Sequence, residues 1–217
     1  MYEYLDKDVP GEPWLVAETG ARVTAIEYDD DNDLMVVRTT KSVYRFMHVI
    51  TTIPLPVLNV VDLRECQLIW PVKAAFRKLT YGASTKIGIK FTENWWWKLF
   101  QIDGGQSYSD TPIRTVVYPS YGPNEPRSRV LIVSYAWTQD AERLGSLMGA
   151  SKEDKSFLQN MVLRDLERVH KLNEGDLNQY FDGSNDSIFP FNWYADPYAM
   201  GKYQYRFAFL KLMHIFI

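Results

Sequence analysis

Two residues in this sequence stand where a reacting molecule could use them. Lys86, in "YGASTKIGIKFTENWWW" (81–97), interrupts an alternating strand, and Tyr135, in "RVLIVSYAW" (129–137), brings a hydroxyl into an apolar run. A lysine can place fixed positive charge beside a centre that gains electrons, which lowers the barrier to that step. A tyrosine on an apolar face must find a partner for its hydroxyl if it is buried. Alternation puts Ile87, Ile89 and Phe91 on one face of the lysine strand. It puts Lys86 and Gly88 on the other, where glycine admits close approach by a planar ligand. On the second strand the same rule places Leu131, Val133, Tyr135 and Trp137 together. From the strand alone a solvated Lys86 beside Lys90 is the stronger reading, since exposed lysines are the norm. Tyr135 reads equally as a core tyrosine bonded to backbone or as a ligand group.

The 217 residues carry none of the common motifs of other chemistries. There is no G-x-G-x-x-G or G-x-x-x-x-G-K-[ST] loop to cradle phosphate, no G-x-S-x-G elbow and no S-x-x-K pair. A single cysteine (Cys66) excludes an internal disulfide framework, and three scattered histidines (His48, His170, His214) make no metal cluster. The acidic run "DDDND" would need glycine at Leu34 and glutamate at Thr40 to be a calcium loop, so it reads as a solvated hairpin turn. Asn185-Asp186-Ser187 is a glycosylation sequon that only a secreted chain would use. A net charge of −3 gives no drive toward nucleic acid or anionic membrane. "MYEYLDKDVP" has no basic or apolar leader pattern, and no apolar run approaches spanning length, so a soluble, by default cytoplasmic, chain is expected. Seven tryptophans and fourteen tyrosines suit an apolar ligand cavity.

The elements that must position Lys86 and Tyr135 follow from the patterning. "ARVTAIEYD", "LMVVRTT" and "SVYRFMHVIT" read as strands around the acidic turn. "TTIPLPVLNVV", with two prolines, reads as a bent connection and not a regular element. "PVKAAFRKL" reads as a short helix opened by Pro71. The lysine strand begins near Ser84 and runs into an aromatic turn. "IRTVVYP" and "RVLIVSYAW" are further strands, separated by the loop "SYGPNEPRS". Thr138 and Ser151 are N-cap types, and Ser151 with Asp154 makes a capping box. Leu158, Met161, Val162, Leu166 and Val169 then share a helical face that reads as core. Residues 173–197 read as an irregular functional loop or connector. Strands and helices in this order argue an α+β arrangement.

Taken in order, "ITTIPLPVL", "LTYGASTKIGIKF", "NWW", "GGQSYSDTPIRTVVYPSYG", "VLIVSYAWTQDAERLG" and "WYADPYAMG" resemble the flavin-dependent amine oxidases, most closely the fungal L-amino-acid oxidases. The resemblance runs from about Trp14 to Gly201, as an internal fragment of the longer family chain. It implies an α+β fold in which 1–80 is a partial FAD-binding domain and 81–201 a substrate-binding domain of mixed β-sheet with flanking helices. Residues 202–217 form a divergent tail. It further implies FAD as cofactor, an amino acid or amine as substrate, and dioxygen as second substrate. A homodimer of the full-length form is compatible with it.

By the same resemblance Lys86 holds a water at flavin N5 and lends charge to flavin reoxidation. Tyr135 holds the substrate carboxylate through its hydroxyl, and the backbone of Val23, in "ARVTAI", contacts adenine. A strand residue without a ligand role is nearly as good a reading of Val23. The expected reaction is oxidative deamination of an L-amino acid to a keto acid, ammonia and hydrogen peroxide. A polyamine or monoamine oxidase, or a non-enzymatic remnant, are the alternatives. Because the dinucleotide fingerprint and a flavin-closing segment are not recognisable, the chain is expected to need the missing FAD-binding half as partner and to be inactive in isolation.

Overall fold

The computed structural model describes residues 18–79, 81–120, 129–149 and 151–203. The start of the resemblance near Trp14, most of the loop "SYGPNEPRS" and tail residues 204–217 lie outside them. The chain divides into two compact units after Leu79.

In the first unit, β1 (Val23–Asp29), β2 (Leu34–Thr39) and β3 (Val43–Phe46) form an antiparallel sheet in that order. Alternation buries Ile26 and Met35 against Leu58, Val61 and Cys66, while Glu27 and Arg38 pair across the strands at 2.8 Å. The acidic turn closes on itself: Asp29 accepts from the Asn32 backbone and side chain. No group of His, Cys, Asp and Glu among the described residues could hold a metal ion. The T-I-P-L segment, expected to be irregular, contains one helical turn, α1 (Leu55–Leu58). Pro56 is tolerated there because first-turn N–H groups have no intrahelical acceptor to lose. The helix expected after it is α2 (Trp70–Lys78), with Pro71 in its first turn.

The second unit is built on a five-stranded sheet in the order β6-β7-β8-β5-β9, flanked by a two-stranded pair of β4 (Tyr81–Gly82) and β10 (Lys202–Tyr203). β5 (Ser84–Lys90) is the lysine strand. It lies between β8 (Val130–Trp137) and β9 (Ile188–Asn192), with β7 (Thr115–Val117) and β6 (Gln106–Tyr108) beyond β8. The class is α+β as expected, and every pairing within the five-stranded sheet is antiparallel. β9 falls inside the segment that read as irregular. Pro190 hides it from a propensity reading, yet proline is admissible on an edge strand, which β9 is. The aromatic turn after β5 is instead the start of a helix, α3 (Trp95–Phe100).

Behind the sheet lie α4 (Thr138–Gly145) and α5 (Lys152–Val169). Ser151 caps α5 as expected. Its hydroxyl accepts from the Asp154 N–H, and the Asp154 carboxylate accepts from the Ser151 N–H. Leu158, Val162 and Leu166 are fully buried against Ile87, Ile89, Leu131 and Val133, with Met161 and Val169 at the margin. Each such aliphatic side chain contributes about 1.5–3 kcal/mol on leaving water. Thr138 does not cap α4. It is the first helical residue, with φ 55°, and its hydroxyl donates to the Trp137 carbonyl. That backbone region is strained for a β-branched residue, and the Thr138 N–H to Ala83 carbonyl bond (3.0 Å) holds the turn in place.

Candidate functional site

The lysine strand alternates as its sequence says: Ile87 and Ile89 are fully buried, while Lys86 and Gly88 are half-buried on the opposite face. β8 does not alternate throughout. Ile87 pairs with Ser134 but Gly88 pairs with Ile132, which leaves Val133 as an extra residue in a β-bulge. Leu131 and Val133 are buried before the bulge, Ser134 and Ala136 after it. The expectation that Leu131, Val133, Tyr135 and Trp137 share a face is therefore corrected. The bulge shifts the phase by one residue and turns Tyr135 and Trp137 out of the core, onto the face of Lys86.

On that face the registers set three rows across β8, β5 and β9. Ile132, Gly88 and Phe189 form one row, and Tyr135, Lys86 and Phe191 form the next. Trp137 and Ser84 form the third, continued by Trp193, whose N–H donates to the Ser84 carbonyl. The central column is small apart from its lysine, and both flanks are broad and mostly aromatic, which makes a trough along β5. Its walls are internally packed: Tyr135 meets Trp137 edge-on (5.3 Å between centroids), Phe189 stacks on Phe191 (6.3 Å), and Phe191 meets Trp193 (4.7 Å). Phe189 and Trp137 remain 69% and 55% exposed.

The Lys86 Nζ lies 4.9 Å from the centroid of the Tyr135 ring, within cation–π range. Among the described residues no carboxylate lies at ion-pair distance from it. The structure thus brings Lys86 and Tyr135 together in one row. Val23 belongs to the other unit, where its side chain packs on the margin of the small core beside the bulge between Val23 and Ala25. Sequence reasoning missed Ser84, Phe189 and Phe191; the segment Trp193 to Tyr198 is one that approaches the site in the resembling family, but sequence reasoning assigned Trp193 no role. The signal for the three aromatic residues was the F-x-F-x-W spacing at 189–193, which is period two.

A second polar cluster lies in the core behind the sheet. Tyr118 OH meets His170 Nε2 at 2.5 Å and Ser107 Oγ at 2.9 Å, while His170 Nδ1 lies 2.7 Å from the Leu166 carbonyl. A carbonyl only accepts, so the neutral imidazole carries its proton on Nδ1 and accepts from Tyr118 at Nε2. Burial holds His170 below and Tyr118 above its ordinary pKa.

Residues 11–210 match the family described as "Flavin containing amine oxidoreductase". The chain belongs to the flavin-containing amine oxidoreductase family. It is 43% identical over 197 residues to L-amino-acid oxidase 4 of Hebeloma cylindrosporum, covering 85% of this chain and 31% of that one. It is 30% identical over 154 residues to the flavin-dependent L-tryptophan oxidase RebO of Lentzea aerocolonigenes, covering 70% and 31%. Among solved structures a putrescine oxidase variant superposes with a TM-score of 0.58 at 13% identity, covering 84% of this chain and 36% of that one. The chain therefore spans about a third of the length of these relatives.

As a member of a flavin-containing family, the chain can be tested for residues that fit a flavin ring. A Cβ added at Gly88 would meet only the Phe189 carbonyl, at 4.0 Å, so the trough floor is open at that point. Ser84 Oγ is buried with no hydrogen-bond partner. A flat floor, an unsatisfied hydroxyl, an ammonium with no carboxylate partner among the described residues and exposed aromatic flanks fit a planar heteroaromatic ring. No phosphate-cradling motif accompanies them in the 217 residues. No helix among the described residues is long and apolar enough to cross a membrane.

Proposed function

We propose that this chain forms the substrate-binding portion of an FAD-dependent oxidase that deaminates L-amino acids. In this reading 81–201 is the substrate domain, 1–80 contributes part of the FAD-binding domain, and 202–217 is a tail. The observation that carries it is the Tyr135–Lys86–Phe191 row, an ammonium set among aromatic rings on one sheet face. Identity of 43% to a fungal L-amino-acid oxidase supports the amino-acid substrate class.

When bound, the flavin supplies the two-electron acceptor that takes the hydride from the substrate α-carbon. The imino acid released adds water to give the keto acid and ammonia, and dioxygen takes up the electrons as hydrogen peroxide. Lys86 contributes a charge fixed by its strand, with no solvent reorganisation needed at the moment of reaction. It orders water at the ring and favours electron gain by oxygen. Tyr135, on the same row, orients the substrate through its hydroxyl, and the aromatic flanks exclude bulk water. The Val23 backbone meets the adenine end. Without a phosphate-cradling loop, these 217 residues alone hold FAD poorly and are inactive, and they work joined to an FAD-binding half.

The test has two parts. The isolated chain is purified and its visible spectrum recorded; a stoichiometric flavin would overturn the claim that it cannot hold FAD alone. These residues are then exchanged for the matching segment of the Hebeloma oxidase, and peroxide release is read on L-amino acids and on primary and polyamines. The reading expects amino acids to be used, and Tyr135→Phe to raise KM only for carboxylate-bearing substrates. Preference for amines, or equal effects of Tyr135→Phe on both classes, would sink it.

A further inference from the structure

Gly145 closes α4, and a Cβ built on it would lie 2.4 Å from Asn192 Nδ2 and 3.2 Å from Asn192 Cγ. No real side chain tolerates that approach, so Asn192 has to be displaced by any other residue at 145. Asn192 is the last residue of β9. It pairs with Thr85 on the buried side of the sheet, facing α4. Its Oδ1 accepts from the N–H groups of Tyr194 (3.0 Å) and Ala195 (3.4 Å), an Asx turn that bends the chain directly after Trp193. The turn is tied further by Trp193 N–H to Ser84 O, Gly201 N–H to Trp193 O and Met200 N–H to Asp196 O.

Strand alternation then does the rest. Asn192 points behind the sheet and Trp193 in front of it, edge-on to Phe191, across the trough from Trp137. We propose that Gly145 is a positioning residue for the Trp193 wall of the trough, acting through the Asn192 carboxamide. The missing Cβ on a helix behind the sheet sets the width of the trough in front of it. The claim rests on the proposed use of the trough only for what the trough holds; the linkage itself is read from this chain.

The geometry has a thermodynamic signature. Gly→Ala in an exposed helix position gains about 0.5–1 kcal/mol, so a substitution that only filled space would not loosen anything. Here Gly145→Ala turns the carboxamide away and frees the two turn amides.

The test is amide exchange by NMR on the 217-residue chain, in wild type, Gly145→Ala, Asn192→Ala and the double variant. The proposal expects Gly145→Ala to speed exchange at Tyr194 and Ala195 by roughly fivefold to tenfold, the loss of one ordinary hydrogen bond. Asn192→Ala, which removes the acceptor without crowding, should do the same. In the Asn192→Ala background the Gly145 substitution should then have no further effect. Collisional quenching of Trp193, isolated by difference from Trp193→Phe, should rise in both single variants, whereas a purely structural role at the end of α4 would leave it unchanged. Exchange within twofold of wild type in Gly145→Ala, additive effects in the double variant, or unchanged Trp193 quenching would each overturn the proposal. No turnover is measured, so the result is independent of which substrate the trough serves.

Discussion

Acid should loosen the second unit through one residue. His170 is 9% exposed, wedged between the Trp95 ring (4.8 Å between centroids), the Phe100 ring (5.5 Å) and the Tyr118 hydroxyl. The groups facing it are Ser107 and Tyr118 from the β6–β7 side, Trp95 and Phe100 from α3, and the Leu166 carbonyl from α5. Among the described residues no carboxylate is at ion-pair distance to neutralise an imidazolium. Its folded pKa is therefore depressed, first by burial, below the ordinary 6.5. The unfolded chain binds this proton more readily than the folded one. The stabilisation is then complete above pH 6.5 and is lost as pH falls below it. One proton sets the ceiling on the slope, about 1.4 kcal/mol per pH unit. The carboxylates held low by hydrogen bonds, Asp62 at about 2 and Asp182 below its ordinary value, lose theirs in a lower window. Urea unfolding between pH 7.5 and 5.5, compared with His170→Phe, reads the difference. Phenylalanine keeps the ring contacts, and the Tyr118 hydroxyl, no longer donating to His170, can donate to Ser107 instead. Wild type should lose stability across this interval while the variant stays flatter by up to one proton's slope. Parallel curves would refute the assignment of His170 as a buried neutral base.

Other expectations follow from the same geometry. Ser151→Ala removes the hydroxyl half of the α5 capping box and should cost about 1 kcal/mol in urea unfolding, with unchanged spectra of the folded state. Gly88→Val places its side chain in open space above β5, so the folded chain should keep its melting midpoint, yet the Hebeloma exchange chimera should lose its flavin spectrum. Lys86→Met in that chimera should slow flavin reoxidation in stopped-flow by about 10²–10³-fold, the scale of one lost electrostatic group. A change confined to substrate KM would remove Lys86 from the oxygen step.

The legible parts of the fold were those in which a single period or cap decides the outcome. Ile87, Ile89 and Phe91 lie in the core as alternation requires, and Ser151 with Asp154 opens α5 as the capping box requires. β8 defeated alternation because one residue, Val133, is paired with nothing on β5. No propensity marks it, since valine suits a strand in or out of a bulge. β9 went unseen because Pro190 and its five-residue length outweigh a period of two phenylalanines. Trp95 to Trp97 read as a turn because indoles favour strands, whereas packing of Trp95 and Trp96 onto Phe91 makes the segment helical. Thr138 has the side chain of a cap but not its geometry, because the turn out of β8 is held by Ala83. Lys86 was visible as a charge in a strand. Its row partners were not, since they come from segments 49 and 105 residues away, through the registers Lys86↔Tyr135 and Lys86↔Phe191.

The bulge at Val133 gives β8 two rhythms on one strand. Before it, the odd-numbered positions answer to the interior; after it, the same parity answers to the ligand side. Deleting Val133 would leave the composition almost untouched and the strand no less apolar. It would close the bulge, so that Ile132 and Ser134 meet Gly88 and Ile87 in an unbroken ladder with Tyr135 and Trp137 still on the face of Lys86. A comparison of relatives that slips the segment beyond the bulge by one residue equates wall residues with core residues. The chemistry of the trough is written in the parity of a single strand.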